Sequence, residues 1–185
     1  MDYLSKWIKN VCRSDYPLYL YGSLRSTFQG YWNEKFENNE FEATEIIENL
    51  WLGNIASATN RKQLLAHDIK NIVVTAIGVR QLFSEINYVY IPLRDTESEF
   101  ILSQIKQILP QVHDMVLKAP TLVHCMVGAS RSATLVICYL MRFKRINLKD
   151  SLALVKDKRP IVDPNSGYLK QLQEFEKELI EEGYL

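Results

Sequence analysis

Cysteine is scarce in this sequence: three residues, at positions 12, 125 and 138, in a chain of 185. An odd, widely spaced set makes a poor disulfide framework. No Cys-x-x-Cys pair occurs, and of the histidines at 67, 113 and 124 only His124 adjoins a cysteine, so no metal site and no cofactor are expected. An excess of charge of either sign is also missing. Lys+Arg and Asp+Glu each number 22, for a formal net charge of zero. That argues against nucleic-acid binding through a dominant basic field and against an acidic solvating tail. No apolar run approaches the about 18 residues of a spanning helix, so no membrane insertion is expected. The opening MDYLSKWIKN lacks the charged-then-apolar build of a secretory signal, and position 2 is Asp rather than a myristoylation glycine. Repeats and low-complexity tracts are absent as well. These absences leave an ordinary globular protein, read as cytoplasmic, with the nucleus as the alternative compartment.

What is present divides the chain in two. Residues 1–12 place Leu4, Trp7, Ile8 and Val11 at the spacing of an amphipathic helix. That helix offers a homodimer or docking face, the alternative being packing onto its own domain. Residues 13–40 read as an irregular connector, too rich in aromatics for a disordered one. Residues 1–40 are therefore taken as an N-terminal extension and 41–185 as one domain. Within it, 45–52 predict one or two short strands, 55–67 a helix, and 69–76, 88–93 and 121–123 buried strands. Helices are predicted over 101–117, 131–143, 148–157 and 166–181, the second of these apolar nearly all round and so central. Buried strands alternating with helices imply an α/β domain with a mostly parallel sheet flanked by helices.

The chemistry gathers at HCMVGASRS, residues 124–132, between the buried strand and the central helix. Such a loop can curl into a nest that aims backbone N–H groups at one point, with the helix dipole behind it. Gly128 permits the backbone conformation this needs. Arg131 can fork onto two oxygens of an oxyanion. Cys125, at a helix N-terminus beside these donors, should ionise easily and act as a nucleophile toward a bound phosphate. Cys138, seven residues into the apolar helix, reads as core, and His67 and His113 as surface helix residues.

With these residues in view, the sequence resembles the small atypical dual-specificity protein phosphatases of the cysteine-dependent superfamily. The resemblance covers roughly 42–182 and rests on four ordered segments: EIIENLWLGNIASATN (45–60), IPLRDTESEF (91–100), the 124–132 motif and RPIVDPNSGYLKQLQEFE (159–176). It implies that Cys125 forms a phosphocysteine intermediate. Arg131 and the amides of Met126, Val127, Gly128, Ala129, Ser130 and Arg131 would bind the phosphate oxygens. Asp95, in the segment after strand 88–93, would serve as general acid and then base, with Glu97 and Glu99 as backups, and Ser132 would donate a hydrogen bond to the Cys125 sulfur. His124 would support the loop, and Asn165 would hold its geometry from behind. Two departures stand out: Arg94 where many relatives have a second acid, and Asp68 where they often have Gly, at a site that favours left-handed backbone.

The implied activity is hydrolysis of phosphotyrosine and phosphoserine/threonine on protein substrates. One alternative keeps the chemistry on a non-protein phosphate, a phosphoinositide or an RNA 5′ phosphate. The uncharged Met126, Val127, Ala129 and Ser130 argue against polyanions, although Arg80, Arg94 and Lys158 could line the rim. Another is a catalytically weak phospho-binding module, against which the retained Cys125, Arg131 and Ser132 weigh.

Overall fold

The computed structural model describes residues 41–185. The expected helix at 1–12, its homodimer face, the connector 13–40 and Cys12 lie outside the described residues.

The chain enters through a hairpin, β1 (Thr44–Ile47) and β2 (Leu50–Gly53), whose turn places Asn49 at φ 62°. Two short helices follow, α1 (Ile55–Thr59) and α2 (Arg61–Ala66). The single helix expected over 55–67 is thus divided at Asn60, which ends α1 and caps α2 by accepting from Gln63 N at 3.0 Å. Asp68 then takes the left-handed conformation, φ 53°, anticipated for that position. Next come β3 (Asn71–Val74), β4 (Asn87–Tyr90), α3 (Leu102–Lys118), β5 (Thr121–His124), α4 (Arg131–Lys144), α5 (Leu148–Lys158) and α6 (Ser166–Glu181).

The sheet order is β1-β2-β5-β3-β4, parallel except for β1, so the sheet is mixed and mostly parallel. Alternation along the strands serves both faces. Val73 and Val123 join the larger core with Leu50, Leu52 and helices α3 to α6, while Ile72, Val74 and Leu122 turn toward α1 and α2. Helix α4 is buried continuously from Arg131 to Met141 and contacts α3, α5, α6, β2 and β5. Cys138 is fully buried in this core, and burial pushes its thiol up, so it stays protonated. Among the described residues no helix is long and apolar enough to cross a membrane.

His67 is exposed, as expected, whereas His113 is not a plain surface residue. His113 is half-buried: its Nδ1 lies 3.0 Å from the Tyr139 hydroxyl and its ring stacks on Phe143 at 3.9 Å. His67 packs its ring 4.9 Å from Phe41 and 4.7 Å from Trp51. Both are anchored by aromatic neighbours on other elements, which no spacing along their own helices could reveal.

Candidate active site

The parallel order brings the C-terminal ends of β2, β5, β3 and β4 to one edge, the usual place for a ligand site in an open α/β sheet. The loop 125–130 leaves β5 at the centre of that edge and runs into α4. Its backbone is fully accounted for on the outside. His124 O accepts from Thr75 N at 2.9 Å and from Thr75 Oγ1 at 2.9 Å. Cys125 O is held by His124 Nδ1 at 3.0 Å, and Met126 O accepts from Ile55 N at 3.2 Å. Val127 O and Gly128 O accept from Arg159 Nη2 and Nε, both at 3.0 Å. Ala129 O accepts from Asp163 N at 2.8 Å, and Ser130 O from the Thr134 amide and hydroxyl.

A trans peptide sends its carbonyl and the next N–H in opposite directions. With the carbonyls of 125–130 turned outward, the N–H groups of 126–131 face the other way, into a cup. Gly128 N–H, directed at Cys125 Sγ at 3.1 Å, marks the cup's floor. Gly128 itself sits at φ 79°, and a Cβ there would come within 2.4 Å of Gly53 O. Only glycine meets both demands.

Cys125 is buried at the base of the cup and also receives the Ser132 hydroxyl at 3.2 Å. Burial alone would raise its pKa. The Arg131 charge and the hydrogen bonds from Ser132 and Gly128 outweigh it, and the thiol's pKa falls below its ordinary value. His124 is buried, and desolvation drops its pKa to about 4, so the ring is neutral over the physiological range and its Nδ1–H donates to Cys125 O. The unfolded chain takes up this proton from about pH 6.5 downward while the native state resists, so stability falls as pH falls. Between pH 7 and pH 5 the loss from this group is about 2 kcal/mol. Denaturant unfolding of wild type and H124N at both pH values checks this. The variant should lose that much less on acidification, and parallel losses would contradict a neutral buried His124.

Arg131 is buried with Nη1 donating to Leu93 O at 3.3 Å. Its Nε lies 3.4 Å from Asp95 Oδ2, an ion-pair distance without hydrogen-bond alignment, so this buried N–H has no aligned acceptor. Asp95 arrives on the segment after β4. It accepts from Ser130 Oγ at 2.7 Å and Asn165 Nδ2 at 3.0 Å, with its side chain 30% exposed. Asn165 caps α6 by accepting from Tyr168 N at 2.9 Å, and its Nδ2 holds the acid rather than the phosphate loop behind which the resemblance placed it.

The structure thus brings together Cys125, Arg131, Asp95, Ser132, His124, Asn165 and the backbone of 126–130. The backbone carbonyls of Glu97 and Glu99 meet Gly167 and Gln171 of α6. Of the rim cations, Arg80 and Arg94 are exposed on segments leaving β3 and β4, while Lys158 donates to Glu45 O at 3.3 Å, by the hairpin. Sequence reasoning missed Arg159. Its buried guanidinium pins the carbonyls of Val127 and Gly128 and also that of Glu42. The one available signal was its place at the head of the RPIVDPN segment.

Comparison with known proteins gives a concordant result. The family model for the dual specificity phosphatase catalytic domain matches residues 50–178. A protein of Invertebrate iridescent virus 6 assigned as a tyrosine phosphatase is 39% identical over 137 residues, 74% of this chain and 93% of its own. Human dual specificity protein phosphatase 22 is 34% identical over 134 residues, 72% of this chain and 73% of its own. Among solved structures, a mouse protein assigned as a dual specificity phosphatase, complexed with zinc tungstate, superposes with a TM-score of 0.75 at 25% identity, covering 80% of this chain and 94% of that one. With a family model matched over most of the described residues and relatives at this level of identity, the chain belongs to the dual specificity phosphatase family.

Proposed function

We propose that the chain dephosphorylates phosphotyrosine and phosphoserine/threonine in proteins by a two-step transfer through Cys125. The outward fastening of every loop carbonyl carries this reading, because it leaves six N–H groups and Arg131 converging where a phosphate would sit above the sulfur. The tungstate of the mouse relative, a tetrahedral oxyanion, suits the same kind of cup.

In the first step the Cys125 thiolate attacks phosphorus and the bond to the leaving oxygen breaks, with Asp95 supplying that oxygen's proton. In the second, water attacks the phosphocysteine, Asp95 takes the water's proton, and sulfur departs as thiolate with the Ser132 hydroxyl hydrogen-bonded to it. The amides of 126–131 and Arg131 hold the three non-bridging oxygens throughout, more tightly as the geometry becomes bipyramidal. Arg159 holds the cup from outside. The catalytic unit begins near residue 41, with 1–40 as an extension. A free, low-pKa thiol calls for a reducing compartment, which supports a cytoplasmic or nuclear site of action.

Protein rather than polyanionic substrates are favoured by the uncharged loop side chains Met126, Val127, Ala129 and Ser130, of which Val127 is 44% exposed. Matched peptides bearing phosphotyrosine, phosphothreonine or phosphoserine, run beside a phosphoinositide and a 5′-phosphorylated RNA, test the reading. Turnover of all three peptides is expected, ahead of either non-protein substrate. Hydrolysis confined to phosphotyrosine would overturn the dual specificity, and preferential turnover of the lipid or RNA would overturn the protein substrate.

A further inference from the structure

The acid-bearing segment 94–101 has no regular secondary structure, yet it is fastened along its whole length to one face of α6. At its start the Tyr168 hydroxyl donates to Arg94 O. Asn165 Nδ2 then holds Asp95 Oδ1. Midway, Glu97 O lies so close over Gly167 that a Cβ there would approach it to 1.9 Å. At its end Gln171 reaches in with both ends of its amide. Its Oε1 accepts from Ile101 N at 2.8 Å and Leu102 N at 3.2 Å, and its Nε2 donates to Glu99 O at 2.8 Å. Gln171 and Ile101 are both buried, so these bonds have no water to replace them and an unmade one is costly. Residues 165, 167, 168 and 171 lie within two turns of one helix, and the helix in turn packs on α4, which carries Arg131 and Ser132.

We propose that this face of α6 fixes the acid segment in its working position, so that Gln171 and Gly167 are positioning residues for proton transfer by Asp95. The inference rests on the general-acid role assigned to Asp95 above. It makes the segment a fixture carried by α6 rather than a lid that must close on substrate. Gly167 is required because Glu97 O passes against its Cα, and not for backbone conformation, since its φ is not positive. Neither residue touches the phosphate cup. Their effect is exerted on where Asp95 meets the leaving oxygen.

A positioning role separates from a structural one by leaving group. 2,4-Dinitrophenolate departs without a proton, whereas phenolate needs one. Gln171→Leu, which keeps the volume and removes the amide, should lower kcat/KM for phenyl phosphate about tenfold or more while changing that for 2,4-dinitrophenyl phosphate by no more than about twofold. In a D95N background the same substitution should cost nothing further on phenyl phosphate, because the proton it helps deliver is already gone. Gly167→Ala should give the same pattern and serves as the independent variant if Gln171→Leu does not fold. Equal losses on both substrates, or losses that persist in D95N, would overturn the inference while leaving the Asp95 role intact. A D95N enzyme whose own loss is equal on both substrates would overturn the Asp95 role, and the inference with it.

Discussion

Cys125→Ser should abolish turnover of a small aryl phosphate, by roughly 10⁴-fold or more, while leaving the oxyanion site able to bind. The two halves of that expectation come from different parts of the structure. Turnover needs the thiolate, whose charge is held by Arg131, the Ser132 hydroxyl and the Gly128 amide against the opposing effect of burial. A serine hydroxyl at the same place ionises far higher and remains a poor nucleophile. Binding needs the amides of 126–131, whose orientation is set by His124, Ile55, Arg159, Asp163 and Thr134 on the outside of the loop. None of those contacts involves the sulfur. Tungstate affinity, read by calorimetry or by its effect on thermal unfolding, should therefore be retained in C125S, and removing a negative charge beside the anion favours tighter binding. Loss of tungstate binding with the thiol would mean that the cup is not formed by backbone alone.

Arg131→Lys should lower kcat/KM by roughly 10²- to 10³-fold despite conserving the charge. The guanidinium is buried with Nη1 on Leu93 O and Nε near Asp95 Oδ2 without hydrogen-bond alignment, which leaves planar N–H donors to present to an oxyanion. An ammonium can supply charge at that point but not two parallel donors. The interaction strengthens as charge redistributes over the equatorial oxygens, so the loss should fall on kcat as well as on KM. A change confined to KM would indicate that Arg131 only captures substrate.

The extent to which this site was legible in sequence follows from how local each part is. Cys125, Gly128, Arg131 and Ser132 stand within eight residues between one strand and one helix, so their spacing alone forecasts a nest around a thiol. Asp95 was legible only through the resemblance of IPLRDTESEF to an acid-bearing segment, since the strand before it, expected to be buried, lies at the exposed edge of the sheet. Asn165 was marked as a supporting residue only through the resemblance of the 159–176 segment, and its hold on Asp95, 70 residues away, could not be read from it. Arg159 and Gln171 were not, because their partners lie 31 and 70 residues away and meet them only once α5 and α6 have packed. The Ser130 hydroxyl's hold on Asp95, across 35 residues, was hidden for the same reason. The strands proved shorter than the apolar runs that announced them. Residues 69–76 yielded only Asn71–Val74, since Ile69 ends up in the core without joining a ladder. The parallel majority of the sheet was readable from the strand–helix alternation, whereas β1 turned back on β2 as a tight hairpin at the edge.

The central claim is that phosphate passes through the Cys125 sulfur. Ser132→Ala removes the hydroxyl bonded to that sulfur and should slow breakdown of the intermediate more than its formation. Acid-quenching this variant during turnover of an aryl phosphate and reading the intact mass should then reveal a species heavier by about 80 Da, the mass of one phosphoryl group, with the adduct on the peptide containing Cys125. A quenched enzyme that turns over substrate with no adduct, or one phosphorylated at His124 or elsewhere, would contradict the account.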